Sequence, residues 1–136
     1  MSDPPASSPA RFPRRRVDRA AERPDLPPGV DDLGAFVTEL AAIERRIERV
    51  LASGRAAFSD GSDSYDHASM AIIRLAALFE DERFHRSLSS VSETERRGIA
   101  TTRNVVAHHG YRAMDDERFW RTITIDVPAL LRRVHP

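Results

Sequence analysis

The sequence predicts an all-α fold: an antiparallel bundle of four to five helices that follows a disordered N-terminal tail. From residue 30 onward, apolar residues recur at spacings of three and four, which is the period of an amphipathic helix. Residues that commonly cap helices stand at the starts of these segments. Seven of the nine prolines fall in the first 29 residues. We therefore expect a tail over residues 1–29 and a helical domain over residues 30–136.

The tail combines dense proline with few apolar side chains. Proline blocks regular helix, and so little apolar surface cannot offset the entropy lost on ordering. The basic run Arg14, Arg15 and Arg16 either contacts RNA or an acidic partner, or is a solvated chain start. The usual behaviour of charge runs favours the solvated start.

The first predicted helix runs from Asp32 to Leu51. Asp31 or Asp32 is suited to cap its start, and Gly54 follows its end. Its apolar positions form one stripe. They are Leu33, Phe36, Val37, Leu40, Ile43, Ile47, Val50 and Leu51.

The second helix is predicted from about Asp63 to about Phe84, after a turn cluster over residues 59–64. The third should begin after Ser92, because Ser92 and Glu95 have the spacing of a capping box, and Gly110 is its natural stop. The apolar positions of the second are Tyr65, Ala68, Ile72, Leu75, Ala76 and Phe79; those of the third are Ile99, Val105 and Val106.

A fourth helix should start at a cap formed by Asp115 or Asp116. The β-branched residues 123–125 would also allow a strand at this point. Pro128 suits the first turn of a short final helix. The apolar residues of these two segments are Phe119, Trp120, Ile123, Leu130, Leu131 and Val134.

Composition excludes several classes of function. The 136 residues are 40% hydrophobic and have zero formal net charge. The chain has no cysteine, which rules out disulfides, thiolate zinc sites and cysteine nucleophiles. No apolar run is long enough for a membrane span, and no secretory signal is present, so we expect a cytoplasmic protein. The histidines lack the spacing of a metal site, and we expect no metal and no cofactor. They are His67, His85, His108, His109 and His135.

The segment from Arg103 to Tyr111 carries the chemistry of most interest. Arg103, Asn104, His108, His109 and Tyr111 place polar groups at the end of an otherwise buried-looking helix. Histidine moves protons near neutral pH, and arginine binds phosphate and stabilises charge that grows on it. Together they could cleave RNA without a metal. The alternative is a plain helix end whose histidine faces the helix dipole.

The spacing of these residues constrains the site. At 3.6 residues per turn, His108 lies roughly 140° around the helix from Arg103, and His109 roughly 120° around in the other direction. The site therefore needs a distorted helix end or the same segment from a second subunit. The small predicted core also favours a homodimer. Trp120 is interpreted as core or dimer interface, and the acidic runs 80–82 and 115–117 as helix-end or loop charges.

The segment resembles the HepT-like proteins of the HEPN superfamily over about residues 30–134. Their signature is an arginine, usually followed by asparagine, then a histidine four to six residues after the arginine and a nearby tyrosine. Arg103, Asn104, His108 and Tyr111 match it. The family's downstream pattern is matched in order by Asp115, Trp120, Thr122 to Ile125, Asp126 and Pro128.

This resemblance implies a toxin–antitoxin system in which a homodimeric, metal-independent endoribonuclease is the toxin. A minimal nucleotidyltransferase antitoxin would silence it by transferring AMP to Tyr111. His108 would be the base, or His109 if the family's His-x-Tyr spacing decides. Arg103 would stabilise the phosphate, and Asn104 would support the site. The alternatives are a non-catalytic HEPN-type module that binds a nucleotidyltransferase, nucleotide or RNA, and a purely structural dimerisation bundle.

Overall fold

A computed structural model describes residues 30–108 and 115–136, together with Ser2 and Pro4. The predicted disordered tail lies almost wholly outside the described residues. All regular elements in the described part of the chain are helical, so the all-α prediction is confirmed. The five α-helices are α1 (Val30–Ser53), α2 (Asp63–Glu80), α3 (Glu93–Ala107), α4 (Asp116–Arg121) and α5 (Val127–Val134).

Helix α1 packs mainly against α2. The chain reverses between them, because Phe36 near the start of α1 meets Phe84, just beyond α2, with ring centroids 5.4 Å apart. Gly54 ends α1 with a φ of 79°, a conformation that glycine adopts without strain. The predicted cap at Asp31 or Asp32 is wrong, because the helix already begins at Val30.

The predicted stripe of α1 is wider than the face that is buried. Its five central members are buried, but Leu33, Val37 and Leu51 are 47%, 37% and 49% exposed. At 100° per residue these three fall roughly 60–100° from the middle of the buried arc, at the edge of the contact with α2. The buried members are Phe36, Leu40, Ile43, Ile47 and Val50.

Helix α2 begins as predicted and ends earlier than predicted. The Ser62 hydroxyl caps it by accepting a 3.1 Å hydrogen bond from the Tyr65 backbone N–H. All six predicted core positions are buried. The helix stops at Glu80 because Asp81 is extended, and its carboxylate accepts a 3.0 Å bond from the Arg83 N–H to start a short 3-10 turn. The predicted end at Phe84 is therefore wrong.

The predicted capping box at the start of α3 is confirmed. The Ser92 hydroxyl accepts a 3.1 Å bond from the Glu95 N–H, and the Glu95 carboxylate accepts a 2.8 Å bond from the Ser92 N–H. The helix ends at Ala107 with His108 as its C-cap residue. Gly110, the predicted stop, lies outside the described residues.

Helices α4 and α5 form one continuous helical segment. Asp115, rather than Asp116, is the N-cap of α4, because its carboxylate accepts a 2.8 Å bond from the Glu117 N–H. A π-helical turn, Thr122–Asp126, joins the two helices, so the strand allowed by sequence is wrong. Pro128 gives the turn a physical reason: in a regular α-helix its ring would meet the carbonyl four residues earlier.

An aromatic cluster anchors α4 to the rest of the bundle. The ring of Phe58 lies 5.4–5.5 Å from the rings of Tyr65, Phe119 and Trp120. Phe58 and Phe119 are fully buried, while Trp120 is partly buried against the core. The expectation that Trp120 lies at the core or an interface fits this position.

Candidate functional site

The predicted site residues that the structure describes lie at the C-terminal end of α3. Arg103 and Asn104 belong to the last turns of the helix, and His108 follows it. The Arg103 side chain is 30% exposed, whereas Asn104 and His108 are exposed. His109 and Tyr111 lie outside the described residues. The described part of the site is therefore an exposed, polar helix end whose arginine is partly buried.

Arg103 has a partner that the sequence interpretation missed. Its Nη1 atom donates a 2.6 Å hydrogen bond to Oε1 of Glu80, the last residue of α2. Glu80 is itself 62% exposed in its side chain. One signal was present in the sequence, because a glutamate at a helix C-terminus is unfavourable next to the helix dipole. A cationic partner offsets that repulsion.

His108 marks the point where the backbone leaves the helix. Its φ of −105° and ψ of 94° are extended, whereas the residues before it are helical. The backbone therefore leaves the helix at His108, and the requirement for a distorted helix end or a second subunit stays a prediction. This position also agrees with the plain alternative, in which a histidine ends a helix close to its negative pole. Whether His108 or His109 is the base stays a prediction.

A second arginine fixes the end of α2 against α3. Arg96 donates hydrogen bonds to the Phe79 carbonyl at 3.2 Å and to the Leu88 carbonyl at 3.3 Å. Its guanidinium also lies 5.5 Å from the centre of the Phe79 ring. Because Phe79 directly precedes Glu80, this contact holds the backbone beside the partner of Arg103.

A groove of about 1230 Å³ separates α3 from the α4–α5 segment. Its walls include Thr102 and Val105 on one side and Arg118, Arg121 and Thr122 on the other. The charges of its walls largely balance, because acidic side chains accompany the arginines. The described motif residues are not part of its walls.

The pKa values of Glu95 and Tyr65 are shifted for different reasons. The pKa of Glu95 is lowered chiefly by the hydrogen bond from the Ser92 backbone, with a smaller contribution from Arg133. Burial raises the pKa of Tyr65, and Asp60 and Asp116 raise it further. Both effects concern the stability of the bundle, because neither group belongs to the motif.

No three histidine, cysteine, aspartate or glutamate side chains in residues 30–108 and 115–136 come together as a set of metal ligands. None of the helices in that part of the chain is long and apolar enough to cross a membrane.

Comparison of the chain with protein-family models, curated proteins and solved structures finds no match.

Proposed function

We propose that this protein is the toxin of a toxin–antitoxin system, a HepT-like endoribonuclease that cleaves RNA without a metal ion. The observation that carries the proposal is the arrangement at the end of α3. Arg103 is anchored by one bond to Glu80 while its side chain stays 30% exposed, and the exposed Asn104 and His108 follow on the same helix end. These are the groups that phosphodiester cleavage requires.

The proposed chemistry is an internal transfer at phosphorus. His108, or His109, takes the proton of a ribose 2′-hydroxyl, and that oxygen attacks the adjacent phosphorus. The bond from phosphorus to the 5′-oxygen breaks, and the leaving oxygen takes up a proton from water. Arg103 stabilises the negative charge that grows on the phosphate oxygens. The products are a 2′,3′-cyclic phosphate and a free 5′-hydroxyl.

The resemblance extends the proposal to partners. Two copies of the chain would form a homodimer and bring two motifs across one cleft. A minimal nucleotidyltransferase would transfer AMP from ATP to Tyr111, which places a negative charge where the RNA phosphate must bind. We propose a cytoplasmic location, which suits a chain without cysteine that acts on RNA.

A second candidate is a non-catalytic module that binds RNA, nucleotide or the nucleotidyltransferase. The partial exposure of Arg103 agrees with it, because binding of a phosphate needs an accessible guanidinium but no proton transfer. The two candidates differ in one outcome. The module binds its partner and leaves RNA intact, whereas the toxin cleaves it.

Growth of bacterial cells that express the chain tests the proposal. We expect the wild type to arrest growth and Arg103→Ala to permit it, because the arginine stabilises the reacting phosphate. Arg74→Ala is the matched control, since Arg74 forms a partly buried pair with Glu39 at 2.8 Å, away from the motif. Equal arrest by Arg103→Ala at the same protein level would contradict the proposal.

A further inference from the structure

We propose that Glu80 is a positioning residue for Arg103: its carboxylate holds the guanidinium at the end of α3 in the orientation that binds an RNA phosphate. This inference deepens the proposed function and rests on it. It assigns a role to a residue of α2 that lies 23 positions before Arg103 in the chain.

The ion pair with Glu80 occupies one of the hydrogen-bond donors of the Arg103 guanidinium. A guanidinium carries five N–H donors in a planar fork. The 2.6 Å bond from Nη1 to Glu80 Oε1 is the one hydrogen bond of the Arg103 side chain within the described residues. Four donors therefore have no protein partner there, and the side chain is 30% exposed. An anion can reach the guanidinium while Glu80 still holds it.

Contacts with α3 hold the backbone that carries Glu80 in place. Glu80 ends α2, and Asp81 leaves the helix immediately afterwards. The buried Phe79 just before it is fixed by Arg96, which bonds to its carbonyl and stacks near its ring. The carboxylate thus extends from a backbone that α3 itself holds in place. Arg96 and Arg103 lie seven residues apart, on nearly the same side of α3.

The Arg103–Glu80 pair contributes little to the stability of the bundle. Exposed ion pairs contribute little to the free energy of folding. A glutamate at a helix C-terminus is also repelled by the negative end of the helix dipole. The arginine side chain is long and flexible. Anchoring it in one orientation therefore mainly affects the affinity of its guanidinium for a ligand. Ordering the side chain in advance removes an entropic cost from phosphate binding.

The inference predicts a graded loss of function. Glu80→Ala should lower the single-turnover cleavage rate at saturating protein by about 10- to 100-fold, the scale of effect that follows from a misplaced catalytic group. It should also weaken RNA affinity. Glu80→Gln keeps an oxygen that accepts the bond, so it should restore most of the rate. If Glu80 had only a structural role, the loss of rate in Glu80→Ala would be accompanied by a lower unfolding temperature. We expect the rate to fall while thermal unfolding stays unchanged.

The test uses the full chain and four variants: Glu80→Ala, Glu80→Gln, Arg103→Ala and Glu80→Ala combined with Arg103→Ala. Glu39→Ala is the control, since it removes the carboxylate of the Arg74 pair. Single-turnover cleavage of labelled bulk tRNA is measured in EDTA. Affinity for a 2′-O-methyl RNA oligonucleotide of mixed sequence, which cannot undergo the transfer, is measured by fluorescence anisotropy.

We expect slower cleavage and weaker binding in Glu80→Ala, rescue in Glu80→Gln and wild-type behaviour in Glu39→Ala. The affinity loss should disappear when Arg103 is already alanine, because Glu80 acts through it. Wild-type cleavage by Glu80→Ala, tighter binding, or a loss that persists without Arg103 would each overturn the inference. If the wild type cleaves nothing, the proposed function fails, and the affinities alone decide the role of Glu80 by the same criteria.

Discussion

Glu80, the last residue of α2, accepts a 2.6 Å hydrogen bond from Nη1 of Arg103 on α3. The pair joins the ends of two packed helices and leaves the arginine side chain 30% exposed. Arg103 is consequently anchored at a defined place on the surface. The chemistry of this helix end and the stability of the bundle that carries it can therefore be altered separately.

Arg103→Ala should abolish cleavage and leave the fold intact. We expect at least a 100-fold loss of rate, because the guanidinium stabilises charge on the reacting phosphate. The free energy of unfolding should change by less than about 1 kcal/mol, since the ion pair that is lost is exposed. RNA cleavage assays and urea denaturation measure the two effects. Loss of rate that merely follows loss of fold would refute this separation.

Tyr111→Phe should resist neutralisation by the proposed nucleotidyltransferase. The phenol oxygen is the proposed acceptor of AMP, and phenylalanine lacks it. Mass spectrometry after incubation with the nucleotidyltransferase and ATP measures the transfer. Tyr65→Phe is the control, because Tyr65 is buried in the core and should leave the transfer unchanged. The same gain of AMP in Tyr111→Phe would show that the acceptor assignment is wrong.

Ser92→Ala should destabilise the domain by about 1 kcal/mol, because it removes the side chain that caps α3. The hydroxyl of Ser92 accepts the Glu95 N–H at 3.1 Å, and the substitution leaves that group without its partner. Urea denaturation measures the change. Ser89→Ala, at an exposed position outside the cap, should be neutral. Equal stability of the two variants would contradict the capping role.

The contribution of Glu95 to stability should depend on pH. Its pKa is lowered in the folded chain, first by the bond from the Ser92 backbone. A lowered pKa means that the carboxylate stabilises the fold above its ordinary value of 4.5 and that this contribution is lost as the pH falls through the folded value. The stability difference between wild type and Glu95→Gln should therefore shrink in acid.

Urea midpoints measured from neutral pH down to about pH 3, below the ordinary range of a glutamate, show this trend. Glu93→Gln is the control, because Glu93 is exposed and its contact with Arg97 is 3.4 Å long. A difference between wild type and Glu95→Gln that stays constant or grows in acid would contradict the assignment.

Phe58→Ala should destabilise the chain by about 3–5 kcal/mol, the usual cost of truncating a buried aromatic ring. The ring is 1% exposed and contacts three other aromatic rings. Phe58→Leu should cost less, because it keeps more of the volume. Ile125→Ala, at a position 56% exposed, should change stability by less than about 0.5 kcal/mol. Similar effects of Phe58→Ala and Ile125→Ala would refute the assigned core.

A local signal in the sequence predicted the start of α3, whereas the predicted cap of α1 was wrong. Ser92 and Glu95 cap α3 as expected, because a capping box involves only neighbouring residues. The end of α2 was placed too late because the apolar pattern continues to Phe84, whereas Asp81 starts a turn of its own. The π turn forms because Pro128 lies within a continuous helical segment. The spacing of the apolar residues did not reveal it.

The candidate site was predictable only in part. The sequence placed Arg103 and Asn104 near the end of a helix, and the structure agrees. It did not reveal Glu80, interpreted as a helix-end or loop charge, because a contact across 23 residues depends on how α2 and α3 pack. His109 and Tyr111 stay predictions from the motif.

The central claim is that this chain cleaves RNA with its own arginine and histidine. The most direct measurement incubates purified wild type, His108→Ala and His109→Ala with total RNA and bulk tRNA in EDTA, which removes contaminating metal-dependent nucleases. We predict cleavage by the wild type and its loss in one histidine variant, which identifies the base. Intact RNA after incubation with folded, unmodified wild-type protein would contradict the claim and favour the binding module.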